Sequence, residues 1–189
     1  MRECKDEFCV LVCATANVLT LHPAEERPST ILLKLDSHRR LDLASQFTAA
    51  GITVSGLQET RLGVARATGI GQYLIFAAAA ANGKGQGGIE LWIRSSWVPN
   101  PHDVLVMFAS QRLLIVRVPM LVGVVQFVVA HASDTSYPAE TVKEWWATLR
   151  STLQSILVPS LLTIWLIDAN ATLGSSQSDA IGPHHPEKD

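Results

Sequence analysis

The sequence predicts an α/β fold whose elements fall into two sheet-and-helix halves, and three observations point there. Apolar runs of strand length recur along the chain, two longer segments carry apolar residues at helical spacing, and several of the strand-like runs stop at an acid, an amide or a histidine. The last of these is decisive for function. Charged side chains are rarely buried without a partner, so polar residues where a strand leaves the core mark its open end, where α/β folds assemble their sites.

The totals set the frame. At 189 residues the chain suits one domain with a substantial core, and 48% hydrophobic against 17% charged residues indicates a globular fold rather than long disorder. A net charge of −2 leaves no global basic field, so any nucleic-acid binding must rely on a local patch. Cys4, Cys9 and Cys13 are odd in number, lie together near the start and have no nearby histidines; they read as reduced core or edge residues rather than a disulfide framework or a metal site. The start mixes both signs of charge, unlike a signal peptide. The longest apolar region, Val104 to Ala130, is broken by Arg112, Arg117 and Pro119, which favours buried strands over a membrane span. The expectation is a soluble intracellular protein with no membrane partner.

Taken in order, Phe8 to Ala14 is an apolar run suited to a central strand, ending near Asn17. Thr20 to Asp36 contains Pro23 and Pro28 and reads as a loop with little regular structure before Ile31. Ser37 is placed to cap a helix to about Ala50, with Leu43 and Phe47 on its apolar face, Arg39, Arg40 and Asp42 elsewhere, and Gly51 as its stop. Ile52 to Leu57 follows as a strand delivering Gln58-Glu59-Thr60-Arg61. Gln72 to Ala81 and Gly87 to Ser95 form two strands joined by Asn82-Gly83-Lys84-Gly85-Gln86, which has hairpin chemistry and no phosphate-binding pattern. Trp92 and Trp97 read as packing residues. Val104–Phe108, Leu113–Val118 and Val122–Ala130 continue as strands, with breaks at Ser110-Gln111 and Pro119 and an end at His131. Pro138 opens a helix to about Ile156 with Trp146, Leu149 and Leu153 as its stripe, and Pro159 closes it. Leu161 to Ile167 then carries Asp168-Ala169-Asn170, whose two polar side chains share one face if the extended geometry persists.

Strand ends thus present Asn17, Glu59, His131, Asp168 and Asn170. These residue types suit metal-assisted phosphodiester hydrolysis. A carboxylate holds Mg²⁺ through oxygen at roughly 2.1 Å. A second carboxylate deprotonates water, while amides and a histidine hold or protonate phosphate oxygens.

The order of these motifs resembles the endonuclease/exonuclease/phosphatase family. Gly56-Leu-Gln-Glu-Thr-Arg61 is its most specific piece. With Asp168-Ala-Asn-Ala-Thr-Leu-Gly174, and a tail from Ser178 to Glu187 similar to the loop that follows, the chain looks most like the endonuclease domains of non-LTR retrotransposons, from about Cys9 onward. The resemblance implies a two-sheet α/β sandwich flanked by helices, with its site at one end of the sheets. It implies Glu59 as the Mg²⁺ ligand (Mn²⁺ as substitute), Asn17 as support for metal or phosphate, Asp168 as the residue that positions the attacking water, Asn170 on the scissile phosphate, and His131 as acid or phosphate ligand. DNA is the implied substrate, with Arg61, Arg66 and Lys84 as candidate contacts, and origin from or fusion to a reverse transcriptase polyprotein and a nuclear setting go with it. A phosphatase or lipid phosphodiesterase of the same family and a catalytically dead binding or structural module are the alternatives.

One departure stands out. The family closes its site with a late Asp and a terminal Ser-Asp-His, and no such motif follows Asp168; Ser178-Asp179 runs into Ala180. The expectation is a single partial domain over 1–189, incomplete at its C-terminus, with 175–189 as a polar loop or tail and with activity impaired.

Overall fold

A computed structural model describes residues 10–18, 29–63, 65–80, 87–134 and 136–170, with backbone alone for 29–38. Cys4, Cys9, Lys84 and the tail with its histidines lie outside these residues. The elements are β1 (Cys13–Asn17), α1 (Ser29–Ala49), β2 (Val54–Gln58), β3 (Arg66–Ile70), β4 (Tyr73–Ala78), β5 (Ile89–Arg94), β6 (Leu105–Ser110), β7 (Leu113–Met120), β8 (Gly123–His131), α2 (Ala139–Ile156) and β9 (Leu162–Asp168). One sheet has the order β1-β2-β5-β4-β3 and the other β6-β7-β8-β9.

Two strand pairs are parallel, β1 with β2 and β8 with β9; the others are antiparallel. Parallel neighbours need a crossover, and α1 and α2 supply it. Each half is therefore a strand-helix-strand unit whose two strands end side by side. Because β1 also stacks against β9 across the sandwich, all four carboxyl ends meet at one place.

Strand alternation builds the layers. Val54, Leu91 and Ile93 of the first sheet meet Leu114, Val116, Phe127, Val129 and Leu166 of the second in the central core. On the outer side of the first sheet, Leu57, Tyr73, Ile75 and Trp92 pack against Ala44 and Phe47 of α1. On the outer side of the second, Leu113, Ile115, Val128 and Ala130 pack against α2 through Leu149 and Trp145. The result is a two-sheet α/β sandwich flanked by helices.

Several elements differ from the sequence expectations. Helix α1 starts at Ser29, not Ser37, because Ile31 to Leu35 contains good helix formers and no breaker. Its end is as expected: Gly51 at φ +70°, with Gly51 N–H on Thr48 O and Ile52 N–H on Phe47 O, closes the helix in a Schellman arrangement. Arg40 is fully buried rather than on the polar face, paired with Glu90 beneath α1, and Trp92 Nε1 donates to the other carboxylate oxygen at 2.7 Å.

Among the described residues strand β1 lies at the edge of its sheet, not at its centre, and leaves Val10 and Val12 exposed, with Cys13 as a free, exposed thiol. The paired strand runs on to Asn17 because the ladder with β2 persists through Asn17 opposite Gln58. Strand β3, Arg66-Ala-Thr-Gly-Ile, has no apolar alternation to announce it. Pro119 does not break β7. The pairing with β6 stops at Arg117, so the missing N–H of Pro119 faces no neighbour there. On α2, Pro138 is the N-cap rather than the first helical residue, and Trp145 rather than Trp146 takes the core-facing position. Trp146 is 39% exposed and rests edge-on against Trp145. No helix among the described residues is long and apolar enough to cross a membrane.

Gly56 explains how closely the sheets approach at the site. A Cβ there would lie 2.5 Å from Leu166 Cβ and 3.0 Å from Val129 Cγ1. Gly56→Ala is expected to cost about 1–3 kcal/mol, the usual range for overpacking a filled core, measured as a fall in the urea midpoint at constant m-value.

Candidate active site

Five sequence-selected side chains, from strands up to 151 positions apart, form one connected polar group. Asn17 Nδ2 donates to Asp168 Oδ2 at 3.1 Å. His131 sits between the two carboxylates, with Nδ1 3.1 Å from Glu59 Oε1 and Nε2 3.8 Å from Asp168 Oδ2. Asn170 Nδ2 donates to Ala132 O at 2.7 Å and lies 3.0 Å from His131 Nε2. A cleft of about 360 Å³, lined by Thr15, Asn17, Gln58, Asp168 and Asn170 among others, opens over the Asn17–Asp168 contact.

Glu59 is held by its backbone as much as by its side chain. Glu59 and Arg61 adopt φ of +58° and +56°, the left-handed region that L-residues enter at a cost of about 1–3 kcal/mol each. The turn persists because Thr60 N–H donates to Gly88 O and Arg61 N–H to Gly87 O, while Gly87 N–H donates to Glu59 Oε1 at 3.0 Å. Gly88 must be glycine: its φ is +85°, and a Cβ would stand 2.7 Å from Thr60 Oγ1 and 2.9 Å from Arg61 N. The result is a carboxylate of which only 8% is exposed, aimed at His131 instead of the solvated loop that an acid at a strand end would otherwise form. Arg61 Nε lies 3.3 Å from Glu59 Oε2 and remains 41% exposed, so it belongs to the rim of the site. Arg66 is exposed on β3, beyond this group.

Asp168 is the last residue of β9, opposite His131 in the parallel register. The extended geometry does not continue past it. Asn170 has φ +43°, and its N–H folds back onto Asp168 Oδ1 at 3.1 Å. The two polar side chains therefore converge through a local turn of the kind Asp and Asn favour, not through strand alternation.

Asn170 and Glu59 flank the His131 ring. A carbonyl can only accept, so one Asn170 amide hydrogen goes to Ala132 O, and the same nitrogen lies within hydrogen-bond distance of His131 Nε2. Nδ1 faces Glu59 Oε1 on the other side of the ring. Burial pushes the imidazole pKa below its ordinary value; Glu59 opposes that shift and Arg112 adds to it. On the loop after β8, Ser136 donates to Asp134 and holds its exposed carboxyl below the usual range.

Gln58, Arg112 and Gly87-Gly88 were not singled out by their residue types alone. Arg112 donates to Ala132 O and to Tyr137 OH, each at 3.1 Å, and so fastens the loop that leaves His131. The paired glycines, expected as the start of the strand to Ser95, precede it and support Glu59 instead.

No protein-family model matches the chain, and no curated protein matches it. Solved structures do. A humanized D. rerio TDP2 carrying 14 mutations is 19% identical, over 86% of this chain and 67% of that one, with a TM-score of 0.52. D. rerio TDP2 complexed with single-strand DNA product is 16% identical over 86% and 61%, with the same TM-score of 0.52. The endonuclease domain of TRAS1, a telomere-specific non-LTR retrotransposon, is 14% identical over 70% and 53%, with a TM-score of 0.46. The chain spans between about half and two thirds of the length of these structures. Its two-sheet sandwich is a fold of the endonuclease/exonuclease/phosphatase type.

Proposed function

We propose that the cleft hydrolyses phosphodiester bonds, with DNA as substrate and Mg²⁺ or Mn²⁺ as cofactor. The observation that carries this reading is the single polar network joining Asn17, Glu59, His131, Asp168 and Asn170 at the carboxyl ends of the four parallel strands. The complex of D. rerio TDP2 with a DNA product lends the substrate class its support.

The donor set fits a hard cation. Mg²⁺ is bound by one or two carboxylates and keeps several waters. Glu59 and Asp168 offer carboxylate oxygens, and the flanking amides offer more. Among the described residues no group of three or more His, Cys, Asp or Glu could hold an ion alone, so waters and substrate oxygens would complete the shell. Glu59 would hold the cation with support from Asn17. The cation, when bound, supplies stabilisation of charge developing on the phosphate.

The remaining roles follow from the hydrogen bonds. Asp168, with 26% of its side chain exposed, is oriented by Asn17 and by Asn170 N–H, and takes the proton of the attacking water. Asn170 contacts the scissile phosphate. His131, set between Glu59 and Asn170, serves as acid or phosphate ligand. Arg61 on the rim takes a DNA phosphate. Retroelement origin and a nuclear setting belong to the same reading.

The test is nicking of supercoiled plasmid with Mg²⁺, Mn²⁺ or excess chelator. Slow nicking that needs the cation is the expected result. Nicking indifferent to chelation would sink the metal-assisted reading. Hydrolysis of phosphomonoesters without nicking would transfer the site to a phosphatase.

A further inference from the structure

Beneath the Asn17–Asp168 contact lies a second polar link between the two sheets, made by a residue to which the proposed reaction gives no part. Gln58 is fully buried at the end of β2, opposite Asn17 in the parallel register, and lines the floor of the cleft. Its Nε2 donates to Thr15 Oγ1 of β1 at 2.9 Å and to Leu166 O of β9 at 3.0 Å. Thr15 precedes Asn17 by two residues and Leu166 precedes Asp168 by two, so strand alternation places this link one rung below the pair at the mouth. The two rungs connect the same two strands.

We propose that Gln58 is a positioning residue, whose side-chain amide ties β1 to β9 and so sets the Asn17–Asp168 contact. The chemistry selects glutamine. The carbonyl of Leu166 can only accept, so the buried group beneath it must offer an N–H, while the Thr15 hydroxyl lies within reach of both the amide nitrogen at 2.9 Å and the amide oxygen at 3.3 Å. Glutamate at this position would turn carboxylate oxygens toward a carbonyl. Methionine would fill the same space with no donor, and would leave Leu166 O buried without its side-chain partner. Gly56, two residues earlier on β2, lets the sheets come close enough for the amide to reach.

The proposal rests on the phosphodiesterase reading for its kinetic consequence only. The primary experiment is a double-mutant cycle on the 189-residue chain by urea denaturation, with Asn17→Ala measured alone and in Gln58→Met. If Gln58 sets the contact, the factor by which Asn17→Ala shifts the unfolding equilibrium shrinks at least threefold in the Gln58→Met background. Independent costs that multiply would overturn the proposal. Should Gln58→Met fail to fold, Thr15→Val cuts the same link from its other end and enters the same cycle. The second readout is nicking kinetics: kcat for Gln58→Met is expected to fall at least tenfold with KM within about twofold. A coupled pair with unchanged kcat would overturn the catalytic consequence. A wild-type chain that does not nick DNA would count against the proposed function while the cycle still decides the role of Gln58.

Discussion

Replacing Arg40 by alanine is expected to destabilise the fold by about 3–5 kcal/mol, because it removes the cation that faces the buried Glu90 carboxylate in the layer between α1 and the first sheet. Both side chains are almost wholly buried, at 1% and 0% exposure. Trp92 Nε1 donates to the other carboxylate oxygen of Glu90, and a neutral donor does not replace a cation. A loss of this size is a large share of the 5–15 kcal/mol or so that stabilises an ordinary domain. The pair itself is worth less than its breakage costs, since each charge gave up its hydration on burial. Substituting methionine at both positions is therefore expected to restore most of the loss. Urea denaturation of the single and double variants measures both. A single variant within about 1 kcal/mol of the parent would mean that water reaches Glu90.

Asp168→Asn is expected to lower the rate of metal-dependent nicking by a factor of ~10²–10⁴, the usual range for removing a general base. The substitution keeps the volume and, with the amide oxygen at the Oδ1 position, an acceptor for Asn170 N–H, so the turn at the end of β9 should persist; the amide nitrogen then faces Asn17, whose own side-chain amide can turn its oxygen to accept. What it removes is the basicity. Single-turnover nicking at fixed enzyme excess separates this loss from any change in DNA affinity, and circular dichroism checks that the fold is retained. Nicking at the parent rate would exclude Asp168 as the base.

The parts of the fold legible in the sequence are those where local chemistry and tertiary context agree. The Asp168-Ala169-Asn170 end, the strand leading to His131 and the Gly51 helix stop carry their own signals, and the two crossover helices fix which strand ends lie together. Other features depend on partners far away in sequence. Arg40 looked like a surface residue because the charge that neutralises it, Glu90, lies 50 positions on. β1 looked central from its apolar run, yet only the sheet order makes it an edge. Gln58 stood beside a conspicuous acid and was read as part of a polar quartet; its partners, Thr15 and Leu166, are 43 and 108 positions distant. The left-handed turn of Glu59 depends on Gly87 and Gly88, which in the sequence open the expected strand to Ser95 and carry no sign of that partner. The convergence of the site residues was thus predictable in kind, and its supports were not.

The most direct test of the site as a cation-assisted phosphodiesterase centre is calorimetric titration of Mg²⁺ into the chain and its Glu59→Gln variant. A hard cation loses a charged oxygen in that variant while the Gly87 N–H keeps an amide oxygen to bond, so the turn is retained. Mg²⁺ binding that weakens at least tenfold in Glu59→Gln is the expected result, and equal affinity in the two forms would remove Glu59 from the site and contradict the reading.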